Sequence, residues 1–334
     1  MRIYYPEYYS RFRCIAGACP DSCCKEWAVD VDEDAAAFYR NLEGDLGDQL
    51  RQVLQDTEYG TQMIIEDGRC PMWRQDGLCR IQAQLGHEAL CKTCREFPRL
   101  RHDYGDFAEL GLELSCPEAA GMILGCKDSH IAVQEVPGGE EPGYEADVMQ
   151  ILLDSRKELL RLLDRGTLSP PEYLTVLLLR AHQVQEQLDG GEATQLDPPQ
   201  LLASAKTFLQ QFPQKPVSLL DFFQTLEILT DRWKTLLQNP KPRSSWSETF
   251  FALIRYLIQR YWLQAVSDYD IICRAKLIVV SCLLIRELGG TLLQTAQLYS
   301  KEIENDPDNV EAVLTAAYEE PSFTDLNLLK LLQK

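Results

Sequence analysis

The chain has 334 residues, 45% hydrophobic and 25% charged, with a formal net charge of −18 and a pI near 4.7. This composition suits an ordinary folded core and, at roughly 100–200 residues per domain, two domains or one large one. Such acidity argues against nucleic acid as the main partner, because phosphate binding needs clustered Lys and Arg; it is the acidity of a solvated surface, or of one that attracts a lysine-bearing substrate.

The opening MRIYYPEYYSRFR lacks the apolar stretch of a secretion signal. Its Tyr4, Tyr5, Tyr8 and Tyr9 stand close to the first cysteines, and either contribute aromatic faces there or pack against the rest of the chain. FRCIAGACPDSCCKEW (12–27) then brings Cys14, Cys19, Cys23 and Cys24 together. A strand is predicted over 27–32, a helix from Asp34, and another over DLGDQLRQVLQD. IQAQLGHEALCKTCREF reads as helical around a break at Gly86; a strand over 107–114 precedes a helix begun near Pro117. Glu118 follows as a helix N-terminal carboxylate. Residues 131–143, IAVQEVPGGEEPG, read as a linker rich in Gly, Pro and Glu.

From 144 the pattern becomes amphipathic helices. One ends at Gly166; the next has Ser169 as N-cap, Pro170 at its first position and Gly190 past its end. Others are predicted from Asp197, across SLLDFFQTLEILTDRWKTLLQ, and after a capping box of Ser245 with Glu248. Three more span 269–288, 291–304 and 308–319. The most apolar run, LIVVSCLLI (277–285), is far shorter than the roughly twenty residues needed to cross a bilayer. The expectation is therefore a mainly α protein without membrane insertion: an irregular cysteine-rich metal-binding domain at 1–130, a linker at 131–143, and an all-helical bundle at 144–334 for partner recognition.

Ten of the twelve cysteines lie between 14 and 126, while Cys273 and Cys282 sit in apolar helical runs and read as inert core. With a cytoplasmic, reducing location expected, such clustering points to metal or redox chemistry rather than disulfides. The spacing is Cys14-x4-Cys19-x3-Cys23-Cys24, Cys70-x8-Cys79, Cys91-x2-Cys94 and Cys116. Thiolates are soft ligands that select zinc or iron–sulfur clusters, and four are enough for either. Only Cys91–Cys94 has the spacing of a zinc knuckle; the other gaps suit a larger cluster. The loop C-x3-C-x2-C of radical enzymes is begun by Cys19 and Cys23, but Glu26 stands at the third position. Asp21 could orient a ligand or form a turn. His87, His102 and His130 read as ordinary surface or core histidines beside so many thiols.

These stretches resemble the flagellin lysine-N-methylase family, part of a cysteine-rich zinc- or iron-chelating group. Phe12, Cys14, Cys19, Asp21, Cys23, Cys24 and Trp27 follow its F-x-C-x4-C-x-D-x-C-C-x-x-W pattern. Cys70, Pro71, Leu78, Cys79, Ile81 and Gln82 follow the next part, and Thr93, Cys94, Phe97, Pro98 and Arg99 the third. The matches cover most of 8–120. YSKEIEND resembles a segment near the family's C-terminus, with Asn305 where the pattern has histidine; Cys91 stands where it has serine. The resemblance implies methyl transfer from S-adenosylmethionine to flagellin lysines. It also implies a [4Fe–4S] cluster, with zinc as the alternative, on ligands drawn from Cys14, Cys19, Cys23, Cys24, Cys70, Cys79, Cys94 and Cys116.

Direct methylation needs a neutral lysine amine and alignment of nitrogen, methyl and sulfur. Arg95 and Arg99 could bind the carboxylate of the methyl donor or offset the negative charge of a thiolate cluster, and Trp27 could face the donor's sulfonium. No Gly-rich strand-to-helix turn announces a Rossmann cofactor site; the LGG at 288–290 reads as a helix cap. Two rivals remain at this stage: a non-enzymatic metal-binding interaction module and a structural zinc protein.

Overall fold

The computed structural model describes residues 1–58, 60–126 and 130–334. Strand β1 (Arg2–Pro6) runs straight into helix α1 (Glu7–Arg11). After β2 (Val29–Val31), the Asp32 carboxylate accepts the Ala35 N–H and starts α2 (Glu33–Asn41). The other Asp32 oxygen accepts the Lys92 N–H at 2.6 Å, which fixes a distant cysteine-bearing turn to the same cap. Helix α3 (Asp45–Val53) is followed by the hairpin β3 (Leu54–Thr57) and β4 (Gly60–Met63), then by two short helices, α4 (Arg80–Leu85) and α5 (Lys92–Glu96). Strands β5 (Arg99–Asp103) and β6 (Phe107–Leu112) lead to α6 (Pro117–Gly125), which has Pro117 at its first position and Glu118 in its first turn as expected.

Two small sheets result. One has the order β5-β6-β1-β7, where β7 is Ile131–Glu135; the other has the order β2-β4-β3. In the first, β1 pairs in parallel with β6 (Ile3 opposite Ala108) and antiparallel with β7 (Ile3 opposite Gln134). Part of the stretch read as a linker is thus a strand. Neither β1 nor β7 carries a strong local strand signal. Their partners lie about a hundred residues away in sequence, so the pairing is settled by the sheet and not by the segment.

From Ala146 onward the described elements are helical. Gly166 in the left-handed region ends α7 (Ala146–Arg165). Ser169 and Glu172 form a capping box before α8 (Pro170–Leu188), and Asp197 caps α9 (Pro198–Gln211). The expected box at Ser245 and Glu248 is absent: α12 (Thr249–Tyr261) starts after Glu248 without a side-chain cap. The long helix expected across 218–238 is broken into α10 (Leu220–Phe223) and α11 (Asp231–Gln238). The break has a tertiary cause. The Glu227 N–H goes to Asn309, the Leu229 N–H to the Glu302 carboxylate at 2.8 Å, and Thr230 caps α11.

Helix α13 (Ile271–Leu288) is buried on nearly every side, the pattern of a central core helix. It packs on α8, α12, α14 (Leu292–Tyr299) and α15 (Pro307–Glu319), and α16 (Asp325–Leu332), not foreseen from the sequence, closes the chain. Cys273 and Cys282 are buried in α13, as expected of core thiols. Tyr8 of α1, Phe12 just after it and the strand residues Phe107 and Leu112 join the same core, whereas Val29, Tyr39, Leu50, Met63, Ile81 and Cys91 belong to a second, smaller one.

The helix expected over 291–304 changes character at Ser300, where Ser300–Glu304 forms a π-helical turn, a geometry frequent at functional sites. Its Lys301, Glu302 and Glu304 are all buried. Burial raises the Glu302 carboxyl to about 7, against the hydrogen bonds it accepts from Thr230 and Leu229. A carboxyl whose folded pKa is raised contributes stability at low pH that is lost as pH rises through the folded value. Glu302→Gln, which can still accept from Leu229 and donate to Thr230, is therefore expected to flatten the decline of urea-unfolding stability between about pH 4.5 and 7. A decline equal to that of the parent protein would contradict it.

Candidate metal centre

The loop from Phe12 to Trp27 is too short and too rich in Cys, Gly and Pro for a long helix; it makes a single 3-10 turn at Ala16–Ala18. It is pinned at one end by Phe12, buried in the main core, and at the other by the Cys70 N–H donating to the Cys24 carbonyl at 2.8 Å. Helices α4 and α5 place Cys79 and Cys91 at their N-caps and Cys94 one turn into α5. Cys116 is the N-cap of α6.

These segments enclose a cavity of about 510 Å³. Cys14, Cys19, Cys23, Cys24, Cys79, Cys94 and Cys116 line it, together with Trp27, Arg95 and Arg99. Of the eight expected ligands only Cys70 stands off, its thiol against the Met63 sulfur at 3.7 Å in the second core. His87 also lines the cavity, while His102 lies elsewhere and His130 sits 3.3 Å from Glu7. The tyrosines do not gather here: Tyr8 is buried in the main core, and Tyr4 and Tyr5 border a different cavity.

Among the described residues, no three His, Cys, Asp or Glu side chains form a ready coordination set. The thiols are paired with one another instead. A hydrogen bond with Cys24, then burial, pushes the Cys23 thiol far up; the hydrogen bond between Cys91 and Cys94 pushes Cys94 up and Cys91 down. Burial takes Cys70 and Cys116 to about 11. As a donor set the site suits a soft metal or an iron–sulfur cluster: many thiols, converging segments and two flanking guanidinium groups. A bound metal would supply the positive charge that converts such buried thiols to thiolates. Cys91 lies behind the cavity wall and not on it, buried in the second core.

Three further residues shape this site. Lys301, with its side chain 1% exposed, sits 2.7 Å from Glu26 and 3.3 Å from Asp21, and its ammonium is 4.9 Å from the Trp27 ring centre. Gln297 donates to Asp21 at 3.2 Å and to the Ser115 carbonyl at 2.8 Å. Although burial works against it, the Lys301 charge and these hydrogen bonds keep the Asp21 carboxyl below its usual range. Asp21 is thus held by the C-terminal segment as well as by a local bond from the Ser22 backbone N–H. Glu113 is the third: burial raises it, and it is bonded to Ser115 and Asn305, the position where the family pattern has histidine. Lys301 lies in YSKEIEND, the stretch that resembles a family segment, but nothing in that local pattern marks its side chain as buried.

Lys301→Met keeps length but takes the buried cation from Asp21 and Glu26, leaving Asp21 only the looser contact with Lys25 at 3.9 Å. It is expected to loosen residues 19–27 by about 2–3 kcal/mol, seen as faster tryptic cleavage after Lys25 with unchanged far-UV circular dichroism. An unchanged cleavage rate would remove Lys301 as the anchor.

The chain is 33% identical over 134 residues to a lysine-N-methylase of Salmonella typhimurium and 32% identical over 134 residues to one of Salmonella choleraesuis. In each case 37% of this chain and 33% of the relative are covered, so the chain spans about a third of the length of these relatives. It is also 30% identical over 131 residues to the flagellar biosynthetic protein FliU of Salmonella muenchen, covering 37% of this chain and 78% of that protein. No family model matches, and no solved structure matches. With more than three quarters of FliU aligned, the chain belongs to the flagellin lysine-N-methylase family.

Proposed function

We propose that this protein transfers methyl groups from S-adenosylmethionine to lysine side chains of flagellin, with a cysteine-bound [4Fe–4S] cluster in the cavity described above. The observation that carries the reading is the convergence of seven cysteines with Trp27, Arg95 and Arg99 on one cavity, in a chain related to lysine-N-methylases. Its four thiolate ligands would be drawn from Cys14, Cys19, Cys23, Cys24, Cys79, Cys94 and Cys116, with Cys70 behind them. When bound, such a cluster would supply iron that can coordinate a ligand and an electron that can reduce one.

The remaining work falls to the chain's own groups. Arg95 and Arg99 offer guanidinium groups for a carboxylate, and the planar fork suits a bidentate contact. Trp27 presents an aromatic face that already carries the Lys301 ammonium, so it is suited to a second cation on its exposed side. A substrate lysine, with a free pKa near 10.4, must be deprotonated before it can attack. Entry into a partly closed cavity lowers that pKa by desolvation, and the Glu96 carboxylate at its edge can receive the proton. The acidic surface favours approach of lysine-bearing segments.

The test is anaerobic purification with iron, sulfide and zinc analysis, followed by methylation of purified flagellin. Iron and sulfide near four per chain, with methyl-lysine formed, would support the reading. Colourless protein with stoichiometric zinc and no methyl-lysine would replace it with a structural zinc role. Cys19→Ala, Cys23→Ala and Cys94→Ala are expected to lower bound metal. Cys91→Ser, Cys273→Ala and Cys282→Ala are expected to leave it unchanged; full iron in the first group would overturn the ligand assignment.

A further inference from the structure

A second cavity, of about 420 Å³, lies between the four-stranded sheet and helices α7 and α12. It shares no lining residue with the cysteine cavity. Leu100, Leu110 and Leu160 form apolar walls. The charged groups on its lining are Arg156, Lys157 and Arg260 against the single carboxylate of Glu109. In a chain with a net charge of −18 this local excess of cations is notable.

The cations are held in place before any ligand arrives. Arg156 makes a two-pronged contact with Glu109, at 2.8 and 2.5 Å. Arg260 donates to the Tyr256 hydroxyl at 2.7 Å and to the Glu304 carbonyl at 3.3 Å, and the buried Glu304 carboxylate lies 3.6 Å from its Nε, which leaves Lys157 as the surplus cation of the lining. Lys157 is exposed at the edge. His102 adds an independent sign: its Nε2 is buried and has no hydrogen-bond partner among the described residues. Burial, and then the charge of Arg260, hold His102 below its ordinary pKa, so the ring is neutral and its free nitrogen is open to a ligand. Unpaired buried polar atoms are costly, and a bound partner removes that cost.

We propose that this cavity is a binding site for a small amphipathic organic anion, whose apolar body packs on the leucine walls and whose anionic group faces Lys157, Arg260 and His102. The excess of cations disfavours a substrate lysine or the cationic methyl donor here, so the site is separate from methyl transfer.

The test is a fluorescence titration of the full chain with 8-anilinonaphthalene-1-sulfonate, set against uncharged N-phenyl-1-naphthylamine. Saturable one-to-one binding of the sulfonate is expected, with the uncharged compound weaker. Leu160→Trp fills the cavity and should abolish binding. Lys157→Gln, at an exposed position that leaves folding intact, should weaken it roughly two- to fivefold, the worth of one partly exposed charge contact. Equal affinity for the uncharged compound, sulfonate binding unchanged in Lys157→Gln, or displacement by S-adenosylmethionine would each overturn the proposal.

Discussion

The ammonium of Lys301 is the constraint on which the cysteine site depends. A buried cation is tolerated only where opposite charge and hydrogen bonds replace its lost hydration. Here that replacement comes from Asp21, Glu26 and the face of Trp27, all on the loop that carries the first four cysteines. Some 280 residues separate the lysine from Asp21, yet neither is well solvated without the other in place. Docking of the loop on the C-terminal helices is therefore enforced electrostatically, and the thiols are positioned as a consequence.

The π-helical turn that carries Lys301 serves more than this contact. Glu302, one residue on, takes the free N–H of Leu229 and the hydroxyl of Thr230, and so breaks the helix before α11. Glu304 accepts from Tyr256 and Tyr261, and its carbonyl accepts from Arg260, a wall residue of the second cavity. Asn309 ties the same turn to the 227 backbone. One short buried polar segment thus joins the cysteine loop, the helical layers and the wall of the anion-suited cavity. Strands β5 and β6 make a second connection: Pro98 and Arg99 enter β5 from the thiol cavity, and His102 and Glu109 face the other.

The two cavities differ in what they stabilise. Around the thiols, burial raises the pKa values of Cys19, Cys70, Cys79 and Cys116, so a thiolate there needs a metal or a nearby cation to form. The chain supplies Arg95 and Arg99 at that point. Around the second cavity Arg156 and Arg260 are already paired with Glu109 and Glu304, and Lys157 is the surplus cation that the lining offers to an anion.

Much of the helical half was legible in the sequence because its signals are local. Ser169 with Pro170, Asp197 with Pro198, and Gly166 act within one turn of their own position, and each boundary appears where those residues place it. The crowding of cysteines was equally plain and is matched by their convergence on one cavity. What the sequence by itself determined was the helix punctuation and the pool of thiol donors. Only the tertiary structure decided the pairing of β1 with β6 and β7, the break at 224–230, the exclusion of Cys70 from the cavity wall, and the burial of Lys301. These depend on groups far apart in the chain that satisfy one another's charge or hydrogen bonds, and no periodicity within a segment records such a partner.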